Sequence, residues 1–362
     1  SGVGCCFFQA EDGIRDRSPS RGLGDVYKRQ GLKMANNTNK KRVLVIQPLH
    51  SAGMEMLQNR NDIEVIQCDS LDEGVIAEAA KGVHAMTVRA AKITKRIMDA
   101  APDLMVVSRH GVGYDAVDLD TLNQRKIPLC IAVHSNMISV AEQAMALLLG
   151  LAKDLFYYDG VTRKDEWTDR FPTRAIDIEG KSLLIVGFGR IGSKVAKRAL
   201  GFDMNVYGYD PYIDNQIMID AGVEPVSDYN SVLGDMDAVT IHCMKTAETT
   251  NMFSTVQFKT MKPRAFLINC ARGGIVDEDA LYEALMTKEI SGAGLDVLLN
   301  EPSTADHPLF KLNNIILSPH IAGVTVESTR RMATQTVDNV LRVFDDNIDP
   351  DCVVNNKVLK GS

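Results

Sequence analysis

The sequence is most restrictive in what it lacks. There is one tryptophan, and aromatic residues make up only 6% of the 362 residues. No run of 18 apolar residues occurs, so no segment is expected to span a membrane. The seven cysteines are an odd number and none forms C-x-x-C. Cys68, Cys130, Cys243 and Cys270 sit in or beside apolar, strand-like runs. Buried, reduced thiols in a cytoplasmic protein are therefore expected, not a disulfide framework. No His/Cys/carboxylate cluster has ligand spacing, so no metal site is expected. Basic residues are not in excess: 40 Lys and Arg face 47 Asp and Glu, for a net charge of −7. That balance gives no reason to expect a nucleic acid or a membrane surface as partner. What remains is 45% hydrophobic and 24% charged, an ordinary globular balance over a length that allows about two domains.

Residues 1–33 read as foreign to the fold. They are rich in glycine, arginine and aspartate and have no apolar core, which excludes a signal peptide. CFFQAEDGIRDRSPSRGLGDVYKRQ looks like translated sequencing-adapter DNA, which makes Met34 the expected start and 1–33 a non-native leader.

The most informative stretch is Leu183 to Asp210, LLIVGFGRIGSKVAKRALGFDMNVYGYD. It reads as a strand, a glycine turn, a helix from Ser193 to Leu200, a second strand from Asn205 to Tyr209, and a terminal acid. Gly187, Gly189 and Gly192 fit G-x-G-x-x-G. The first permits the turn, the second lets the backbone approach a pyrophosphate, and the third lets helix and strand pack closely. The helix N-terminus offers free N–H groups and a positive dipole end to phosphates. Asp210 would accept hydrogen bonds from the ribose hydroxyls and repel a 2′-phosphate, so NAD is expected over NADP.

HGVGYDA offers a second such run at Gly111, Gly113 and Ala116. Its next strand ends in Ala132-Val133-His134 with no acid for a ribose, and Asp115 and Asp118 would repel a pyrophosphate. NAD is therefore assigned to Gly187 and its neighbours, while the loop at Gly111 suits a smaller anion such as a substrate carboxylate.

Around these motifs lie two series of βα units. Strand-like runs occur at VLVIQ, IEVIQC, AMTVRA, LMVVS and PLCIAV, with helical stretches GVIAEAAKG and TKRIMDAA between them. A long apolar helix follows within Asn136 to Ala152 and should cross into the second unit. DAVTIHC, AFLINCA, GAGLDVL and NIILSPH then extend a second sheet, and a last helix covers about Val326 to Phe344. The expected fold class is α/β, with two Rossmann-like, doubly wound parallel sheets.

Three polar residues follow strand ends, where open α/β sheets bind ligands. Arg272 follows LINCA, Glu301 follows LDVLLN and His320 follows IILSP. Oxidising an alcohol with NAD needs a base for the hydroxyl proton, which suits His320. A carboxylate on the far ring nitrogen would fix the tautomer and favour the imidazolium, which suits Glu301. A guanidinium binds a carboxylate bidentately and polarises the adjacent carbonyl, which suits Arg272.

INCARGGIVDEDAL, AGLDVLLNEP and LSPHIAGVT closely resemble signatures of the D-isomer-specific 2-hydroxyacid dehydrogenases. HGVGYDAVDLDTL and NMISVAEQAMALLLGL resemble that family's N-terminal domain and interdomain helix. The resemblance runs from about Arg42 to Phe344. It implies that Arg272, Glu301 and His320 are the family's catalytic arginine, glutamate and histidine, and that Asp296 meets the nicotinamide carboxamide. It also implies an active site in the cleft between two domains, a discontinuous catalytic domain and a homodimer through the nucleotide domains. The expected division is 34–135 plus 327–362 for the substrate domain and 136–326 for the NAD domain. The expected cofactor contacts are Gly187, Gly189, Arg190, Ile191, Gly192, Asp210, Cys270, Ala271, Asp296, His320 and Gly323.

For substrate, TVRAAKIT and VVSRHGVG resemble the phosphoglycerate dehydrogenase branch. That resemblance implies substrate contacts at Arg89 and Arg109, joined by Gly111, Val112, Gly113 and Arg272. Arg89 and Arg109 read equally as surface or salt-bridge residues. Ala90, His110, Tyr114 and Met244 depart from the branch. On the sequence given, which ends at Ser362, the extra regulatory domain of many phosphoglycerate dehydrogenases is not expected. Hydroxypyruvate, glyoxylate and other small 2-oxo acids stay open. So does a second class, the NAD-binding transcriptional corepressors similar to this family, which keep the triad. The short tail after Phe344 favours an enzyme.

Overall fold

The structure is a computed structural model that describes residues 40–171 and 173–359. The expected leader at 1–33 and the start at Met34 lie outside the described residues.

Two parallel sheets organise the chain. The first contains β1 (Lys41–Ile46), β2 (Ile63–Cys68), β3 (Ala85–Val88), β4 (Val106–Arg109) and β5 (Leu129–Ile131), in the order β2-β1-β3-β4-β5. The second contains β6 (Ser182–Val186), β7 (Asn205–Tyr209), β8 (Glu224–Pro225), β9 (Ala238–Ile241), β10 (Phe266–Asn269), β11 (Gly292–Leu295) and β12 (Ile315–Leu317). Their order is β12-β11-β10-β9-β6-β7-β8. Every pairing in both sheets is parallel. Parallel sheets are covered by helices on both faces, so their strands are unbroken apolar runs rather than alternating ones. VLVI in β1, AVTI in β9 and FLIN in β10 are buried at every position. All nine strand-like runs named from the sequence are strands. β8, only two residues long, has no such run and was not anticipated.

The second sheet has the dinucleotide-binding order with one strand added beyond it, and the first has the flavodoxin order. In each the strand order reverses beside the first strand of the series, and the C-terminal strand ends open there into a crevice. For the second sheet that point lies between β6 and β9.

Two helices tie the sheets into one structure. The helix Met137–Ala152 is buried nearly all round, through Val140, Ala141, Ala144, Met145, Leu147 and Leu148. It packs on β10, β11, β12 and the helix Gly192–Leu200, so it belongs to the second sheet. The last helix, Val326–Phe344, starts at the cap Thr325, whose side chain accepts from Ser328 N while Ser328 answers in a capping box. Its buried stripe of Met332, Ala333, Thr336, Val337 and Val340 packs on the first sheet and on the helix Ser51–Gln58. The Ser108 hydroxyl donates to Thr336 O at 2.8 Å, and Asn339 donates to Ile131 O at 3.1 Å. The chain therefore leaves the first sheet once, near Asn136, and returns once, near Thr325. These crossings touch: the Ser139 and Thr325 hydroxyls lie 3.2 Å apart, and Arg331 donates to Ser135 O at 2.8 Å.

Candidate active site

The glycine loop after β6 has the geometry its spacing predicts. Gly187 has φ +93, and a Cβ there would stand 2.5 Å from Cys243 N beyond the end of β9. Only glycine fits that turn. A Cβ on Gly192 would stand 2.1 Å from Gly187 O, so the helix Gly192–Leu200 packs backbone to backbone on the loop. A Cβ on Gly189 would meet nothing within 4 Å, which leaves the middle of the loop facing open space. Arg190 is exposed and Ile191 half-buried beside it. Asp210 closes β7 as expected, and one carboxylate oxygen accepts Phe188 N at 2.9 Å while the other accepts Tyr212 N at 3.0 Å. Each oxygen keeps a lone pair for another donor. Loop, helix N-terminus and acid together make the cradle a dinucleotide needs.

The residues predicted at the ends of β10, β11 and β12 come together next to this cradle. His320 Nδ1 and Glu301 Oε2 are 2.6 Å apart, and the other Glu301 oxygen accepts Leu298 N at 2.8 Å. Burial, the largest single influence on Glu301, pushes its carboxyl upward. The hydrogen bonds from His320 and Leu298 N, with the charges of His320 and Arg272, outweigh it and hold Glu301 below its usual range. His320 has φ +53, an uncommon conformation for a residue with a Cβ, and such strain gathers at functional sites. Its N–H is held by Asp296 O at 2.8 Å and Ser318 O at 3.0 Å.

Asp296 is fully buried, and its carboxylate is engaged in the same turn. One oxygen accepts the Ser318 hydroxyl at 2.5 Å and Ile321 N at 2.9 Å, and the other accepts Ala322 N at 2.9 Å. Gln143 of the helix Met137–Ala152 reaches the same hydroxyl at 3.2 Å. The expectation of a nicotinamide contact gave no hint of this. Cys270 is buried and Ala271 half-buried on the way to Arg272, while Gly323 lies against Asn136.

Arg272 spans the cleft. Its Nε donates to Asp115 at 3.2 Å and its Nη1 to Ala271 O at 2.8 Å, and a Cβ on Gly113 would fall 1.9 Å from Nη2. Asp115 and Gly113 belong to the loop after β4. The loop thus lies between two guanidiniums, because Arg109 Nη1 would stand 2.6 Å from a Cβ on Gly111. Val112 is half-buried between them. Burial first, then the charges of Arg272 and Arg89, push Arg109 down to about 10. Among the described residues no carboxylate lies within ion-pair distance of Arg109 or Arg89; Arg89 donates to Pro48 O at 3.0 Å instead. His110 is buried, and burial followed by the charges of Arg89 and Arg109 pushes it down to about 4, so it stays neutral. Arg89 and Arg109, beside the neutral His110, thus put positive charge on the first-sheet side of the cleft, and Arg272 faces them from the end of β10. Asp118 caps the following helix, accepting Thr121 N at 3.0 Å. The sequence missed Asp115 as the partner of Arg272 and Ser318 as the link to Asp296. Asp115 is visible in HGVGYDA, but its place after the glycines suggests only a charge that repels phosphate.

No group of three or more His, Cys, Asp or Glu among the described residues could hold a metal ion, and no described helix is long and apolar enough to cross a membrane. Cys68, Cys130 and Cys270 are free and buried as expected, whereas Cys243 is only half-buried.

A family model for the D-isomer specific 2-hydroxyacid dehydrogenase, NAD binding domain, matches residues 145–322. The D-3-phosphoglycerate dehydrogenase of Methanocaldococcus jannaschii is 36% identical over 304 residues, covering 84% of this chain but 57% of that protein. The glyoxylate reductase of Thermococcus litoralis is 34% identical over 331 residues, covering 89% of this chain and 99% of that protein. Among solved structures, the TT0316 protein of Thermus thermophilus superposes with a TM-score of 0.78 at 32% identity, covering 86% of this chain and 99% of that one. The chain thus spans a little over half the length of the phosphoglycerate dehydrogenase and nearly all of the glyoxylate reductase. With the NAD-binding domain matched, the fold shared and a full-length relative above 30% identity, the chain belongs to the D-isomer-specific 2-hydroxyacid dehydrogenase family.

Proposed function

We propose that the protein is an NAD-dependent dehydrogenase that interconverts a small D-2-hydroxy acid and its 2-oxo acid. The observation that carries this reading is the His320–Glu301 pair at 2.6 Å beside Arg272, at the strand ends that adjoin the dinucleotide cradle. When bound, NAD supplies the hydride acceptor, and NADH the donor. Gly187 to Gly192 and Asp210 hold it, with Cys270, Ala271 and Gly323 lining the far side of the cradle. Asp296 fixes the His320 turn and keeps a lone pair free for a carboxamide.

Arg272 grips the substrate carboxylate. Its present partner, Asp115, is 79% exposed, and a single exposed contact of that kind is worth little. A bidentate carboxylate displaces it readily. The N–H groups of Gly111, Val112 and Gly113 take the same carboxylate from the opposite wall, and Arg89 and Arg109 add positive charge behind them. In reduction, His320 donates its proton to the carbonyl oxygen as hydride reaches the carbon. In oxidation it accepts the hydroxyl proton. Glu301 holds the ring in place.

The reading includes a division into 34–135 plus 327–362, which binds substrate, and 136–326, which binds NAD. The packing of the last helix on the first sheet supports it. It also includes a homodimer, supported by an exposed apolar set of Leu155, Phe156, Trp167 and Phe171 on the NAD-domain side. A cytoplasmic location agrees with the free thiols. Neither named relative is a corepressor, and nothing in the site favours that alternative. Steady-state turnover of glyoxylate, hydroxypyruvate, phosphohydroxypyruvate and larger 2-oxo acids with NADH tests the reading. Failure to turn over any 2-oxo acid overturns it.

Cofactor choice rests on Asp210. NADH is expected to bind and NADPH to bind much less well, because a 2′-phosphate would meet that carboxylate. Fluorescence titration measures both, and equal affinities refute the assignment. Asp210→Ser should narrow the gap.

Arg272→Lys keeps the charge but loses the fork. The expected result is a KM for the 2-oxo acid raised about tenfold, the loss of one charge-assisted hydrogen bond, with kcat also lowered. NADH affinity should hardly change. Wild-type kinetics in this variant would remove Arg272 from the substrate site.

A further inference from the structure

Behind the acid–base pair lies a second histidine–carboxylate pair that the reaction does not touch. Glu278 opens the helix Glu278–Met286, and His307 precedes the short 3₁₀ turn Pro308–Lys311. Both side chains are largely buried, at 13% and 19% exposure. Glu278 Oε2 meets His307 Nε2 at 3.1 Å, and Glu278 Oε1 accepts the backbone N–H of Leu299 at 2.5 Å. His307 Nδ1 accepts Leu309 N at 3.3 Å, so its ring proton sits on Nε2 and points at Glu278. The ring lies against Phe310, with centroids 5.1 Å apart.

Leu299 is the important partner. Its neighbour Leu298 gives its N–H to Glu301 at 2.8 Å, so two successive amides of one turn are held by two carboxylates. Glu301 faces His320, and Glu278 faces away from the cleft toward His307. The turn is also pressed from the Arg272 side, because a Cβ on Gly273 would fall 1.9 Å from Leu298 O. The turn that delivers Glu301 is therefore clamped between the backbone after Arg272 and the Glu278 carboxylate.

We propose that Glu278 and His307 are a positioning pair that fixes the Leu298–Glu301 turn, and through it the contact of Glu301 with His320. The idea rests on the dehydrogenase reading for its effect on rate. The contact itself can be read without turnover. A Glu301 that loses His320 and the Leu298 amide loses the hydrogen bonds that hold it below its usual range. The groups facing it are His320 and Arg272.

The test uses the full chain with carbon-13-labelled glutamate side chains, the Glu301 resonance being assigned by its disappearance in Glu301→Gln. In Glu278→Ala the Glu301 carboxyl is expected to titrate at higher pH than in wild type. The reductive kcat should fall about tenfold, within what a misplaced catalytic group costs, while KM for NADH stays within about twofold. His307→Ala should show the same pattern more weakly. His307→Gln, which keeps an N–H for Glu278, should restore it. On a Glu301→Gln background Glu278→Ala should add nothing, since it acts through Glu301. If Glu278→Ala does not fold, the two His307 variants carry the same comparison. An unmoved Glu301 titration, or losses that multiply on the Glu301→Gln background, overturns the proposal. If wild type turns over no 2-oxo acid, the dehydrogenase reading falls and the Glu301 titration still decides the positioning pair.

Discussion

Replacing His320 by alanine is expected to lower turnover about a hundred- to ten-thousandfold, the range a positioned acid–base supplies. The loss should appear in both directions, because the same imidazole gives the proton in reduction and takes it in oxidation. NADH binding should survive. The cradle of Gly187, Gly192 and Asp210 is built on β6, β7 and the helix Gly192–Leu200, and none of its hydrogen bonds involves His320. The fold should survive too, because the side chain is 48% exposed and its backbone N–H, not its ring, closes the turn onto Asp296 and Ser318. Alanine must still accept φ +53, which costs a Cβ-bearing residue on the order of 1 kcal/mol. Fluorescence titration with NADH and steady-state rates on the same preparation separate the two effects. A variant with near-normal turnover ends the mechanism. One that fails to bind NADH places His320 in the cradle rather than in the chemistry.

Much of this site is legible in the sequence because its parts are local. A parallel strand buried on both faces leaves an apolar run, and the residue after it lands at the ligand edge of the sheet. Arg272, Glu301 and His320 could therefore be placed from LINCA, LDVLLN and IILSP alone. The glycine loop was equally readable, since the φ of Gly187 and the close approach at Gly192 each require the absent side chain. What could not be read depends on contacts between distant segments. Arg272 and Asp115 are 157 residues apart, and Asp296 and Ser318 are 22 apart, with no periodicity linking either pair. Glu278 sits in the first turn of its helix, where the dipole already favours an acid whatever its partner, so its sequence position points to no contact. Its bond to Leu299 N is visible only once β11 and the helix Glu278–Met286 are placed side by side. The helix Leu155–Arg163 escaped notice for a different reason. It follows Asp154 at φ +48, and its sequence LFYYDGVTR has no clear apolar stripe because much of that face is exposed.

Glu301→Gln should cost about a hundredfold in reductive turnover near neutral pH, less than the ten-thousandfold seen when an orienting carboxylate fixes the only usable tautomer. The pH dependence is the sharper result. In reduction His320 gives a proton and in oxidation it takes one, so the two directions need opposite starting states of the ring. The Glu301 carboxylate stands 2.6 Å from Nδ1 and holds the ring in place. Glutamine offers the same shape without a carboxyl that can titrate. The acid side follows from Glu301 itself. Although burial pushes its carboxyl upward, its bonds to His320 and Leu298 N and the charges of His320 and Arg272 hold it below the usual range. It therefore protonates at lower pH than an ordinary glutamate. The wild-type pair is lost on acidification only there, whereas the glutamine variant has no such acid limb to lose. Rate profiles for both proteins with saturating NADH, checked for an unchanged melting temperature, test this. An acid limb that stays in place in Glu301→Gln breaks the assignment of Glu301 as the partner of His320, whatever the absolute rate.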